Sequence, residues 1–188
     1  HTISNLKTGY YSAGNGLFRH YQDDTIFDLH MRNAEICGDG SIGSLCGGIS
    51  YAVIMNCASV DYRASSELGG IGGLIGGANH SRIINCYAIG KNYAQAGHGG
   101  ILNLNYDSYV SNCYTSQGTS FQWLSIQSDL YGPGLITGSD AGGSYDNCYA
   151  DINNTERHWD PSVDSMATLY YFFGYVTGHG IQVKSAIN

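Results

Sequence analysis

Gly72-Gly73-Leu74-Ile75-Gly76, followed closely by Ile83-Ile84-Asn85-Cys86-Tyr87-Ala88-Ile89-Gly90, holds the pattern on which the fold turns. The second half recurs without gaps as Val53-Ile54-Met55-Asn56-Cys57-Ala58, Tyr109-Val110-Ser111-Asn112-Cys113-Tyr114-Thr115 and Ser144-Tyr145-Asp146-Asn147-Cys148-Tyr149-Ala150. Two earlier units, Thr2-Ile3-Ser4-Asn5-Leu6 and Thr25-Ile26-Phe27-Asp28-Leu29, carry Leu for Cys, and the second carries Asp for Asn. Counted on that Asn/Asp position, successive units are 23, 28, 29, 27 and 35 residues apart. The first half recurs in step with it, as Gly16-Leu17-Phe18, Ile42-Gly43-Ser44-Leu45-Cys46-Gly47, Gly99-Gly100-Ile101-Leu102 and Gly134-Leu135-Ile136-Thr137-Gly138.

A period of about 28 residues holding two short apolar strands and Gly-rich or polar turns is too short for a βαβ unit. It fits one coil of a solenoid whose interior is buried only by stacking. The expected fold is therefore all-β, a right-handed parallel β-helix (β-solenoid), because parallel crossovers are right-handed almost without exception. Five to six coils are expected, on the order of one per repeat unit. Residues 1–155 form the repeats. After Asn154 the pattern fails; Asp160-Pro161 reads as a helix start and Tyr170-Tyr171-Phe172-Phe173-Gly174 as a packed strand, so 156–188 is expected to be a terminal coil or cap.

Side-chain parity locates a bend. Two residues before each Asn/Asp stands Ile3, Ile26, Ile54, Ile83, Val110 or Tyr145, apolar or aromatic every time and so inward-facing. Strict alternation would then turn each Cys outward, although Cys behaves as a small apolar residue. Asn tolerates the left-handed conformation that flips the register. Asn56, Asn85, Asn112 and Asn147 are thus expected to form a ladder at the bend. Cys57, Cys86, Cys113 and Cys148 then stack in the core as free thiols, leaving a Cys37–Cys46 pairing open. Tyr87, Tyr114 and Tyr149 turn outward as the candidate ligand-binding residues; the competing reading is that their rings only stack on one another and shield strand edges.

These residues resemble the GLUG repeat, whose pattern looks like Gly-Gly-Leu-Ile-Gly followed by Ile-x-Asn-Cys-Tyr-Ala-x-Gly. Gly72 to Gly76 with Ile83 to Gly90 matches almost residue for residue, and the resemblance spans roughly residues 2 to 152. It implies a non-catalytic region of a large bacterial secreted or cell-surface protein. Such repeats occur in adhesin-like proteins, which implies binding to host glycans or glycoproteins, and in IgA-specific metallopeptidases, where this chain would be an accessory domain. No catalytic residue is implied. The chain is accordingly expected to be part of a longer polypeptide extending beyond both ends.

Composition narrows the chemistry. Gly supplies 27 residues, Pro 2 and Tyr 16, a balance of turns and strand formers. Eight Lys and Arg against a net charge of −7 provide no basic stripe for a phosphate backbone, so no nucleic acid is expected. No apolar run approaches the ~20 residues of a membrane-spanning helix. Gly38-Asp39-Gly40-Ser41-Ile42-Gly43, with Asp61 following, has dinucleotide-loop spacing but opens a solenoid strand instead of a helix. His1, His20, His30, His80, His98, His158 and His179 are scattered without zinc spacing, and no cofactor or metal is expected. Asn103, Asn105 and Asp107 alternate like the start of a calcium loop that lacks its Gly and terminal Glu. Asn79-His80-Ser81 and Asn153-Asn154-Thr155 match the glycosylation pattern. The enzymatic alternative is a carbohydrate-active β-helix, a lyase or glycosidase, with Asp107, Asp140, Asp146 and Asp151 converging from different coils.

Overall fold

The computed structural model describes residues 1–9, 14–94, 97–119, 136–151 and 181–184. Followed along the chain, β1 (Thr2–Ser4), β2 (Phe18–Gln22) and β3 (Thr25–Phe27) open the stack. The next coil runs through β4 (His30–Arg32), β5 (Glu35–Cys37), β6 (Ile42–Gly43), β7 (Cys46–Ser50) and β8 (Val53–Met55). Then come β9 (Ala58–Ser66), β10 (Ile71–Gly72), β11 (Ile75–Asn79) and β12 (Arg82–Ile84), followed by β13 (Tyr87–Ala94), β14 (His98–Gly99), β15 (Leu102–Tyr106) and β16 (Tyr109–Ser111). β17 (Tyr114–Thr119), β18 (Thr137–Ala141), β19 (Ser144–Asp146), β20 (Cys148–Asp151) and β21 (Ile181–Lys184) complete the path.

Each strand pairs in parallel with its counterpart one coil away, so the strands gather into four parallel sheets, the shortest spanning three rungs. Sheet I holds β1, β4 with β5, β9, β13, β17, β20 and β21; sheet II the short strands β6, β10 and β14; sheet III β2, β7, β11, β15 and β18; sheet IV β3, β8, β12, β16 and β19. The five rungs of sheets III and IV make about four turns of an all-β parallel solenoid with spacing near 28 residues. Among the described residues every regular element is a strand, and no helix is long and apolar enough to cross a membrane. Most of 156–188 lies outside the described residues; within it β21 pairs in parallel with β20.

The interior is a set of stacked rows. Ile26, Ile54, Ile83, Val110 and Tyr145 line sheet IV, and Leu45, Leu74, Ile101 and Ile136 fill the bend before sheet III. The corner between sheets IV and I is left-handed at every rung: φ is 53° at Asp28, 54° at Asn56, 53° at Asn85, 49° at Asn112 and 50° at Asn147. That flip delivers the next residue inward, which is why Cys57, Cys86, Cys113 and Cys148 are buried.

Thr2–Leu6 belongs elsewhere than its sequence alignment places it. β1 stacks on β4 in sheet I, with Ile3 beside Met31, and Asn5 receives the Asn33 amide at 3.5 Å. Its mate is therefore His30–Ala34, 28 residues on, and not Thr25–Leu29, 23 residues on. Asn5 and Asn33 also have positive φ, 61° and 52°, so two different corners use the same Asn chemistry. The local motif marks a left-handed corner; only the lateral register says which one.

Candidate functional site

Sheet I is the broadest surface, because β9 and β13 reach nine and eight residues where the strands of sheet IV have three. Its outward row begins just past the Cys corner. Tyr87 pairs with Tyr114 and Tyr114 with Tyr149, so three rings sit on successive rungs about 4.8 Å apart. Tyr114 is 37 % exposed, and Tyr87 and Tyr149 are half-buried. Among the described residues no ring contact joins Tyr87 to Tyr114. The row continues toward the first coil through the buried Ala58 to His30, whose ring meets Tyr87 edge-on with centroids 6.4 Å apart. His30 escaped the sequence reading because its unit lacks the Asn-Cys-Tyr triplet.

Behind this row runs the side-chain ladder. Asn56 donates to Asp28 at 3.0 Å, Asn85 to Asn56 at 3.3 Å and Asn147 to Asn112 at 2.6 Å. Inside it, each stacked thiol reaches the carbonyl two residues back: Cys57 to Met55 at 3.3 Å, Cys86 to Ile84 and Cys113 to Ser111 at 3.2 Å, Cys148 to Asp146 at 3.4 Å. All six cysteines are free, Cys37 and Cys46 included. Contact with the Cys86 thiol, together with burial, pushes Cys57 up from the ordinary thiol range, and burial alone pushes Cys46 up to about 12. Contact with the Cys113 thiol pulls Cys86 and Cys148 the other way, and all four stacked thiols are buried packing groups.

Of the four acidic residues named above, Asp107 and Asp140 lie within electrostatic reach of each other. Asp107 sits at the exposed corner between sheets III and IV, and Asp146 on the outer face of sheet IV beside the Tyr109 hydroxyl at 3.4 Å. Asp140 turns inward, where Tyr145 donates to it at 2.8 Å while accepting from the Asn105 amide at 2.9 Å. The single Tyr145 proton goes to the carboxylate, so Thr137, 2.9 Å away, donates to Tyr145. Burial pushes the Asp140 carboxyl above its ordinary range, opposed by the Tyr145 hydroxyl and the Gly143 amide, while nearby Asp107 pushes it further up. The side chain of Asp151 lies outside the described residues.

Asn103 and Asn105 are buried and Asp107 is exposed, so these three do not converge on an ion. Gly38–Gly43 leads into β6 with no helix behind it. His98 is buried within sheet II, whereas His20 lies on sheet III, His30 on sheet I and His80 at the corner between sheets III and IV; His158 and His179 are outside the described residues. Among the described residues no group of three or more His, Cys, Asp or Glu is placed to hold a metal.

A second left-handed corner, between sheets III and IV, was not foreseen. It is built by Asp23, Tyr51, His80, Asp107 and Gly142, with φ of 58°, 51°, 48°, 49° and 84°. Each precedes the Asn/Asp of the other corner by five residues, a constant offset that the sequence carries but that varied residue types conceal. Tyr51 and His80 stack with centroids 5.3 Å apart.

The fold and its surface define the chain as a parallel β-solenoid with a laterally aligned aromatic row. Comparison with family models, with curated proteins and with solved structures returned no match.

Proposed function

We propose that this chain is a non-catalytic binding segment of a secreted or cell-surface protein, and that it holds extended glycan chains or glycoproteins along the outer face of sheet I. The observation that carries this reading is the in-register stacking of Tyr87, Tyr114 and Tyr149. Aromatic faces accept the apolar faces of sugar rings, and a row of them at rung spacing presents one such face after another along a linear chain. Val60 and Ile89, paired on the same face, continue the apolar surface, and Arg63 and Lys91 border it with cationic donors for hydroxyl or acidic groups. The buried thiols and the ladder of corner side chains keep the row straight without taking part in binding.

A glycan array probed with the purified chain tests this. Wild type is expected to retain a subset of extended glycans, and the triple variant Tyr87→Ala/Tyr114→Ala/Tyr149→Ala, verified as folded by its melting curve, to lose them. Equal binding by both proteins, or none by either, removes the row as a ligand site.

A further inference from the structure

We propose that the outer face of sheet III carries a separate site, a shallow groove for a neutral saccharide floored by Gly48 and Gly77. It lies on a different face from the tyrosine row and does not depend on it. The groove is broadly open to solvent and offers about 560 Å³, within the range of small-ligand sites.

Two adjacent Gly-Gly pairs, Gly47-Gly48 and Gly76-Gly77, stack in neighbouring rungs, and their members differ in kind. A Cβ on Gly47 would stand 2.7 Å from the Arg19 carbonyl oxygen, and one on Gly76 would collide with the Gly47 carbonyl, so both are required by packing. A Cβ on Gly77 would meet nothing nearer than Leu104 Cβ at 3.8 Å, and one on Gly48 only the movable His20 ring at 3.1 Å. Neither has a positive φ. Glycine weakens a strand interior, and where neither a positive φ nor packing demands it, the close approach of another molecule to the bare backbone is a physical reason for it.

The surroundings say which molecule. His20 stands on the rung before Gly48 and Leu104 on the rung after Gly77, so the two bare rungs lie between side-chain walls. Tyr106, 45 % exposed, offers an aromatic face at the same wall. On the rim, Asn79 Oδ1 can only accept, so His80 Nδ1 donates to it at 2.6 Å. This fixes the amide with its two Nδ2 donors left for a ligand. Asp107, 3.9 Å from His80 Nε2, places a carboxylate acceptor beside those donors. A flat floor, an aromatic wall and a donor amide next to an acceptor carboxylate match a sugar ring with adjacent hydroxyls. The carboxylate and the net charge of −7 select against an anionic ligand.

Saturation-transfer NMR with lactose, cellobiose and maltose, each at millimolar concentration over the intact chain, tests the assignment. At least one sugar is expected to show transfer to its ring protons. Gly77→Val, which fills the floor in open space, and Asn79→Ala, which removes the donors, should each weaken that sugar at least about tenfold while melting as cooperatively as wild type. The triple tyrosine variant should bind it unchanged. No transfer from any of the three sugars, unchanged binding by Gly77→Val, or loss in the tyrosine variant alone would each overturn the groove.

Discussion

At the left-handed corners one side chain does two jobs. Asn85 adopts φ of 53°, which an L-residue other than Asn, Asp or Gly resists, and its amide also ties its rung to Asn56. Asn85→Ala should lower stability by about 1–2 kcal/mol, the cost of forcing Cβ into that conformation. Asn85→Gly should lose less, because only the ladder bond disappears. A chemical-denaturation series reads the difference, and an alanine variant at least as stable as the glycine one would argue against the corner. Asp140 supplies a pH test. Its folded pKa is raised above the unfolded value, so the folded chain binds that proton more tightly, and the stability this gives is lost as pH rises through the raised value. Asp140→Asn keeps an oxygen acceptor for Tyr145 but cannot ionise. It is expected to melt above wild type at pH 7 and together with it at pH 3, where the carboxyl is protonated in both states; a lower melting point at pH 7 would contradict the assignment.

Between elements, the coil separates into a rigid module and an elastic one. The stretch from the III–IV corner to the IV–I corner keeps its length at every rung, whereas the extra residues of the last period fall between β17 and β18. This explains what was legible in the sequence. Ile83-Ile84-Asn85-Cys86-Tyr87 belongs to the invariant module, so parallel stacking, the inward Cys and the outward Tyr could all be read from parity. Asp23, Tyr51, His80, Asp107 and Gly142 stand at an equally regular corner, yet the residue type changes from rung to rung and Tyr seldom accepts positive φ, so no recurring residue announced it. Thr2–Leu6 was assigned to the wrong sheet because its local chemistry is common to two corners, and register is a property of neighbours. The two glycine classes make an element-scale prediction. Gly76→Ala should destabilise by about 1–3 kcal/mol through backbone overpacking, and Gly77→Ala should stabilise by about 0.5–1 kcal/mol by removing strand-interior glycine. Matching effects at the two positions, measured by thermal melting, would refute the distinction. The thiols offer another check: a thiol reagent should modify Cys37, half-buried, ahead of the five buried ones, and all six after denaturation.

The whole molecule is quasi-one-dimensional, each coil buried mainly by the coils above and below it. Surface chemistry on such a body is organised in rows, because every outward position repeats at rung spacing. Sheet I presents rings in such a row, and sheet III presents bare backbone between two walls. The ligands proposed for these two faces differ accordingly, an extended chain for sheet I and a short saccharide for sheet III. The most direct test of the sheet I reading is a titration of the isotope-labelled chain with an array-selected extended glycan, followed by amide chemical shifts. The account predicts that the largest perturbations fall together on Tyr87, Tyr114 and Tyr149, residues far apart in sequence but adjacent across β13, β17 and β20. Perturbations confined to sheet III, to a single rung, or absent altogether would contradict it.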